Sequence, residues 1–196
     1  MTADTRDYWD AQAGTFDDEP DHGLLDPGVR AAWSALLLPL VPPASRVADL
    51  GAGTGSLSVL LAEAGHRVTG LDLAPRMVAA ARAKAAAAQV AATFAVGDAG
   101  VPPLPEVSVD VVLVRHVLWA LPDPDDAVRR WVRLLAPGGR LVLVEGRWWT
   151  GGGLPAQRTR ELVLSHRAEA EVVPLPDPAL WGGPVEDERY LVLSTR

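Results

Sequence analysis

Short blocks of apolar residues at 46–50, 67–71, 93–96, 109–114 and 140–144 predict five strands, the second closed by Asp72. Block 109–114 is apolar almost throughout, as in a strand buried on both faces. Between these blocks the apolar spacing becomes helical. Val29, Ala32, Trp33, Leu36 and Leu37 predict a helix over 27–38, with Asp26 as its cap and Pro27 at its first position. Helices are also predicted over 56–64, stopped by Gly65, and from 75 to about 89, an alanine-rich run. Another covers 123–135, capped by Asp123 and ended by Pro137-Gly138-Gly139. A last helix at 155–166 precedes strands at 171–175 and 190–194. Residues 1–28 carry no long period. A short helix near 4–14 is followed by loop containing Asp17-Asp18-Glu19 and Pro20-Asp21-His22-Gly23, read either as a binding lid or as disorder.

Strands and helices alternate five times, which implies a parallel sheet with helices on both faces. The loop between the last two strands is too short for a crossover helix, so they are expected to pair antiparallel. No internal repeat or linker divides the 196 residues, and the expectation is one α/β domain.

Composition narrows the function classes. There is no Cys, which removes disulfides, thiolate nucleophiles and Cys-based metal sites. Net charge is −7 and no Lys/Arg cluster lies on one face, which argues against nucleic acid as the main partner. The longest apolar run, 35–41, is broken by Pro39 and falls far short of the roughly 20 residues of a membrane span. Residues 1–10 are polar and acidic, unlike a signal peptide, so a cytoplasmic location is expected.

The stretch Asp49-Leu50-Gly51-Ala52-Gly53-Thr54-Gly55 runs from a strand through three alternate glycines into a helix. Such a turn sets backbone N–H groups and a positive helix end against a ligand; an ordinary strand-to-helix turn is the plain alternative. Asp72 ends the second strand, where a carboxylate either accepts from both hydroxyls of a ribose or caps the following helix. Asp98 follows the third strand. A dinucleotide site asks for G-x-G-x-x-G, whereas position 56 is Ser, and it asks for no acid after strand three.

Together Asp49 to Gly55, Gly70-Leu71-Asp72-Leu73, Gly97-Asp98-Ala99 and Leu135-Ala136-Pro137-Gly138-Gly139-Arg140 resemble the class I S-adenosylmethionine-dependent methyltransferases. The resemblance implies a doubly wound, Rossmann-like seven-stranded sheet of order 3-2-1-4-5-7-6, mostly parallel with an antiparallel last strand. It divides the chain into an N-terminal lid or cap (1–28), a cofactor-binding core (29–146) and a substrate-side segment with the closing strands (147–196). S-adenosylmethionine is the implied cofactor and S-adenosylhomocysteine the product. Asp49, Gly51 and Gly53 would hold its methionine end, with Arg115 beside it through its backbone and Tyr8 closing over it. Asp72 would bind the ribose and Leu73 one face of adenine; Ala52, Met77 and Gly97 are further expected cofactor contacts. Asp98 would accept from the adenine amino group, and the Ala99 N–H would meet a ring nitrogen. Tyr8-Trp9-Asp10, Asp21-His22-Gly23-Leu24, Arg115-His116-Val117-Leu118-Trp119 and Leu180-Trp181-Gly182-Gly183 resemble a subgroup of actinobacterial small-molecule methyltransferases.

Methyl transfer needs chiefly alignment, and a base only where the acceptor has a proton to lose. His116, at the mouth of strand four, is the candidate base; its alternative is a turn-capping role. Phe16, His22, Trp119, Trp148 and Trp149 are candidate substrate contacts, favouring a small aromatic or heterocyclic acceptor. Trp33 and Trp131 sit at core spacing. No metal-ligand spacing occurs, and the expected assembly is a monomer or homodimer. The competing functions are a non-catalytic S-adenosylmethionine-binding module, a transferase using another part of the cofactor such as its aminopropyl group, and an NAD-linked oxidoreductase.

Overall fold

β1 (Arg46–Leu50) lies mid-sheet, paired in parallel with β2 (Arg67–Asp72) on one side and β4 (Val109–Arg115) on the other. The computed structural model describes residues 3–196. β3 (Thr93–Val96) extends the sheet beyond β2, and β5 (Leu135–Arg147) pairs in parallel with β4. β7 (Glu188–Ser194) runs antiparallel between β5 and β6 (Glu171–Pro174). The order β3-β2-β1-β4-β5-β7-β6 agrees with the sequence expectation. β5 exceeds its predicted 140–144 because pairing prolongs it. Leu135 pairs with Val109 before the turn, and Glu145, Gly146 and Arg147 continue along β7. Those partners lie elsewhere in the chain, so the local pattern does not reveal the extension.

Alternation along the strands supplies both faces with apolar side chains. Val111 and Leu113 face α3 (Pro27–Leu37) and α4 (Ser56–Glu63), meeting Trp33, Leu37, Leu57 and Leu61. Val112 and Val114 point the other way, onto Val128 and Trp131 of α6 (Pro124–Leu134) and Leu162 and Val163 of α7 (Ala156–Leu164). α5 (Pro75–Ala87) packs beside α4 through Val78 and Ala81, against Phe94. Trp33 and Trp131 are fully buried, as their spacing predicts, and their indole N–H groups donate to the carbonyls of Leu180 and Ala99. Asp26 accepts from the N–H groups of Gly28 and Val29, and Asp123 from that of Asp126, so both predicted caps form.

The N-terminal segment holds α1 (Ala3–Gln12), a 3₁₀ turn over Phe16–Asp18 and the short α2 (Pro20–Gly23). The first two residues of the expected 1–28 segment lie outside the described residues. Long-range polar tethers order the rest, among them a hydrogen bond from the Thr54 hydroxyl to Asp17. Asp10 accepts from the Arg76 N–H (2.6 Å), and the Gly23 carbonyl from Ser56 Oγ (3.1 Å). The Arg115 guanidinium donates to the Asp21 carbonyl. Lys84, the chain's only lysine, pairs with Asp17 (2.8 Å) and donates to the hydroxyls of Thr54 and Ser56. Each partner is at least 33 residues away, which is why no local periodicity marks this segment. Among the described residues no helix is long and apolar enough to cross a membrane.

Candidate functional site

A cavity of about 520 Å³ opens beyond the carboxyl ends of β1, β2 and β4, where the strand order reverses. Its size falls within the roughly 300–1,000 Å³ of small-molecule sites. The glycine loop forms one wall, with φ of +80°, +54° and +79° at Gly51, Gly53 and Gly55. A Cβ on Gly51 would stand 2.2 Å from Val117 Cγ2, and one on Gly53 3.0 Å from Phe16 Cε1. Only glycine leaves room for those two covers.

The loop N–H groups do not project as a phosphate nest would require. Gly51 and Ala52 both donate to the Leu71 carbonyl at 2.8 Å, and Gly53 donates to Asp72 Oδ2 at 2.8 Å. What the cavity presents there is carboxylate. Asp72 also accepts from the Ala74 N–H (2.9 Å) in front of α5, so its capping role and its place on the wall coexist. Burial raises its pKa against the hydrogen bonds from Ala74 and Gly53. Asp49 is 3 % exposed and accepts from Ser58 Oγ at 2.6 Å. Burial pushes its carboxyl up to about 6, opposed by Ser58 and Arg115. Ala52, Leu73, Met77 and Ala99 add apolar wall on the β2 side. The Ala99 carbonyl is already held by Trp131 at 2.7 Å, which fixes the turn whose N–H the resemblance assigns to a ring nitrogen.

Much of the remaining wall is aromatic. Phe16 stacks on His22 (centroids 4.3 Å, 11°) and meets Trp9 edge-on. His116 lies parallel to Trp181 (6.0 Å, 16°) and perpendicular to Trp148 (5.3 Å), which in turn meets Trp119. His116 has φ +58°, a costly conformation for a non-glycine residue. Its Nε2 is buried with no hydrogen-bond partner, as is His22 Nδ1. Burial, then the neighbouring Arg115, Arg189 and His22, hold the His116 pKa well below the usual range, so the ring is neutral at pH 7. One ligand atom each of Asp21, His22 and His116 lies within 4.8 Å of the others, a set capable of holding a metal that sequence spacing gives no hint of.

Four of the expected site residues stand away from this wall. Tyr8 is 58 % exposed and Trp149 88 %, while their neighbours Trp9 and Trp148 line the cavity. Gly97 and Asp98 do not line the cavity; Gly97 donates to the Asp72 carbonyl, and Asp98 Oδ1 accepts from the Gly100 N–H. Arg115 contributes its side chain as well as its backbone: the half-buried guanidinium reaches the Asp21 carbonyl and lies 5.2 Å from the Trp33 ring.

Residues beyond the sequence reading also enter. Arg189, from β7, lines the cavity between the rings of Trp148 and Trp181 while paired with Asp187 at 2.7 Å. Glu145 is fully buried and accepts from the N–H groups of Val117 (3.0 Å) and Leu118 (2.8 Å). An acid directly after the apolar run 141–144 is the one local signal that could have found it. Nothing local marks Arg189.

Residues 48–143 match the family described as "Methyltransferase domain". The demethylmenaquinone methyltransferase of Thermus thermophilus is 38 % identical over 126 residues, covering 62 % of this chain and 57 % of that protein. The chain spans about half the length of the curated relatives it matches. Among solved structures, an S-adenosylmethionine-dependent methyltransferase from Methanosarcina mazei superposes with TM-score 0.68 at 18 % identity, over 82 % of this chain and 96 % of that one. The [4+2]-cyclase SpnF gives TM-score 0.70 at 21 % identity, over 83 % and 78 % of the two chains. At these identities the structural likeness speaks for the fold. Sheet order, a cavity at the switch point and the match over 48–143 agree: residues 48–143 are similar to the methyltransferase domain family, and the chain has the Rossmann-like fold of the methyltransferase structures it superposes on.

Proposed function

We propose that the chain transfers a methyl group from S-adenosylmethionine to the oxygen or nitrogen of a small, planar acceptor. The observation that carries this reading is the polarity of the cavity's glycine wall. Its first three N–H groups are consumed by Leu71 and Asp72, and two carboxylates, the buried Asp49 and the half-buried Asp72, line it instead. A pyrophosphate would meet repulsion there, which disfavours a dinucleotide. A ligand bringing hydroxyl and ammonium donors and a positive sulfonium fits.

In this assignment Asp49 faces the methionine ammonium, and Gly51 and Gly53 admit the methionyl chain. Asp72 accepts from the ribose hydroxyls with the lone pairs that Gly53 and Ala74 leave free. Ala52, Leu73, Met77 and Ala99 receive the adenine, with Gly97 and Asp98 in support. The cofactor, when bound, supplies a methyl group already activated on sulfur. The chain's task is to hold an acceptor in line with it, which is worth roughly 7–11 kcal/mol of barrier. Phe16, His22, Trp119 and Trp148 wall the acceptor. His116 Nε2, neutral and unpartnered, accepts a hydrogen bond from the acceptor's hydroxyl or amine and takes its proton as the carbon–oxygen or carbon–nitrogen bond forms.

The guanidinium groups that depress His116 also repel a dication, so we read Asp21, His22 and His116 as a metal-free acceptor site. The demethylmenaquinone relative supports a planar aromatic acceptor. We read 1–28 as lid, 29–146 as cofactor core and 147–196 as acceptor side. We further place the chain with the actinobacterial small-molecule enzymes, in the cytoplasm, as a monomer or homodimer without nucleic-acid partners.

Calorimetric titration with S-adenosylmethionine, S-adenosylhomocysteine and NADH in parallel tests the cofactor. Micromolar affinity for the first two and none for NADH is the expected result; NADH binding alone overturns it. Binding followed by no methyl transfer to phenols, hydroxyquinones or heterocyclic amines favours a non-catalytic binding module.

A further inference from the structure

We propose that Glu145 is a positioning residue: it clamps the loop at 116–118 so that Val117 covers the glycine loop and His116 faces the acceptor. The inference rests on the methyl-transfer reading above for what the loop is positioned to do. The clamp itself is geometric. Glu145 Oε1 accepts from two consecutive backbone N–H groups, those of Val117 and Leu118, inside a fully buried site. On one side of those two residues stands His116 in the left-handed region, its N–H donating to the Val144 carbonyl at 2.9 Å. On the other, Trp119 Nε1 returns to the His116 carbonyl at 3.0 Å.

A non-glycine residue at positive φ is strained and persists only where its surroundings over-determine it. Glu145 supplies that constraint, because releasing it leaves two buried N–H groups without an acceptor. The consequence reaches both halves of the cavity. Val117 Cγ2 occupies the space a Cβ on Gly51 would fill, so a shift of the loop uncovers the methionine end. The same shift turns His116 away from Trp148 and Trp181. Burial pushes the Glu145 carboxyl up to about 8, so the group facing the loop at pH 7 is the neutral acid. A neutral acceptor of the same shape is therefore sufficient, and glutamine is the conservative variant.

The test compares Glu145→Gln and Glu145→Leu in the full chain. Amide hydrogen exchange over 116–121 is followed by mass spectrometry, S-adenosylhomocysteine affinity by calorimetry, and kcat and KM with whichever acceptor the wild type methylates. Glu145→Leu is expected to exchange about 10–100-fold faster at 117 and 118, the cost of the lost acceptor for each N–H. Its kcat falls about 10–100-fold, and S-adenosylhomocysteine affinity falls as well, because Val117 no longer covers the methionine end. Glu145→Gln keeps exchange and kcat within about threefold of wild type. Wild-type exchange and kcat in Glu145→Leu overturn the proposal, and so does a Glu145→Gln protein as impaired as the leucine variant. Should Glu145→Leu fail to fold, Glu145→Gln decides alone: preserved kcat supports the clamp, and lost kcat overturns it. A wild type that methylates nothing fails the methyl-transfer reading instead, and the exchange rates still decide the clamp.

Discussion

Replacing Asp72 by alanine separates two jobs that one carboxylate performs. Its Oδ2 accepts from the Gly53 N–H at 2.8 Å and its Oδ1 from the Ala74 N–H at 2.9 Å, so it fastens the glycine loop and caps α5. Truncation leaves both donors to water, a loss of about 1–2 kcal/mol. For a domain of this length that lowers Tm by about 2–8 °C. The cofactor term is separate. Ribose hydroxyls donating to a carboxylate contribute about 1.5–3 kcal/mol per bond, so S-adenosylhomocysteine binding weakens about 10–100-fold for one bond lost. Asp72→Asn keeps one acceptor oxygen and is expected to lose less on both counts. Calorimetry gives the affinity and a thermal melt the stability, on the same samples. A Tm that falls while affinity stays within twofold would refute the ribose assignment and leave Asp72 as a cap alone.

His116→Ala is expected to lower kcat about 10²–10⁴-fold, the usual contribution of a general base, with cofactor affinity retained; an unchanged kcat makes the ring a wall and nothing more. Lys84→Met removes the cation that joins Asp17 to Thr54 and Ser56 and leaves Asp17 the hydrogen bond from the Thr54 hydroxyl. Limited proteolysis should then cut faster within 13–25 than in wild type, and an unaltered rate would mean that the remaining tethers hold the segment. Glu145 carries a pH dependence whose sign follows from its raised pKa. Below about pH 4.5 the folded and unfolded states are both protonated and its effect vanishes. As pH rises toward 8 the unfolded chain ionises first, and the fold loses up to about 5 kcal/mol, at about 1.4 kcal/mol per pH unit. Asp49, raised to about 6, adds loss of the same sign at lower pH. His22, His66 and His116, whose pKa values burial lowers, oppose this between about pH 5 and 6.5, so the comparison is made against Glu145→Gln. Urea unfolding at pH 5 and pH 8 should show wild type losing stability relative to Glu145→Gln as pH rises; a constant difference between the two would show that Glu145 ionises in the fold as readily as in the open chain.

Where chemistry is local, the sequence alone was sufficient. The alternation of strand and helix, the caps at Asp26 and Asp123, and the glycines at 51, 53 and 55 follow from backbone sterics and near-neighbour hydrogen bonds, and these act over a few residues. That Asp49, Asp72 and the glycine loop share one edge of the sheet also follows, because strand polarity puts every such turn on the same side. What the tertiary structure decided depends on partners distant in the chain. The direction of the loop N–H groups was settled by Leu71 and Asp72 across the β1–β2 pair, and it turned a general ligand loop into one unsuited to phosphate. The fate of residues 13–25 was settled by Arg115, Ser56 and Lys84, each contributing a long-range polar contact to a segment with little apolar periodicity of its own. Tyr8 and Trp9 differ by one position, and helical rotation alone sends one to solvent and the other to the cavity. Glu145 and Arg189 acquire their surroundings from β4 and β7 only once the sheet has closed. Local pattern determines which elements form; the environment of a buried charge belongs to the packed whole.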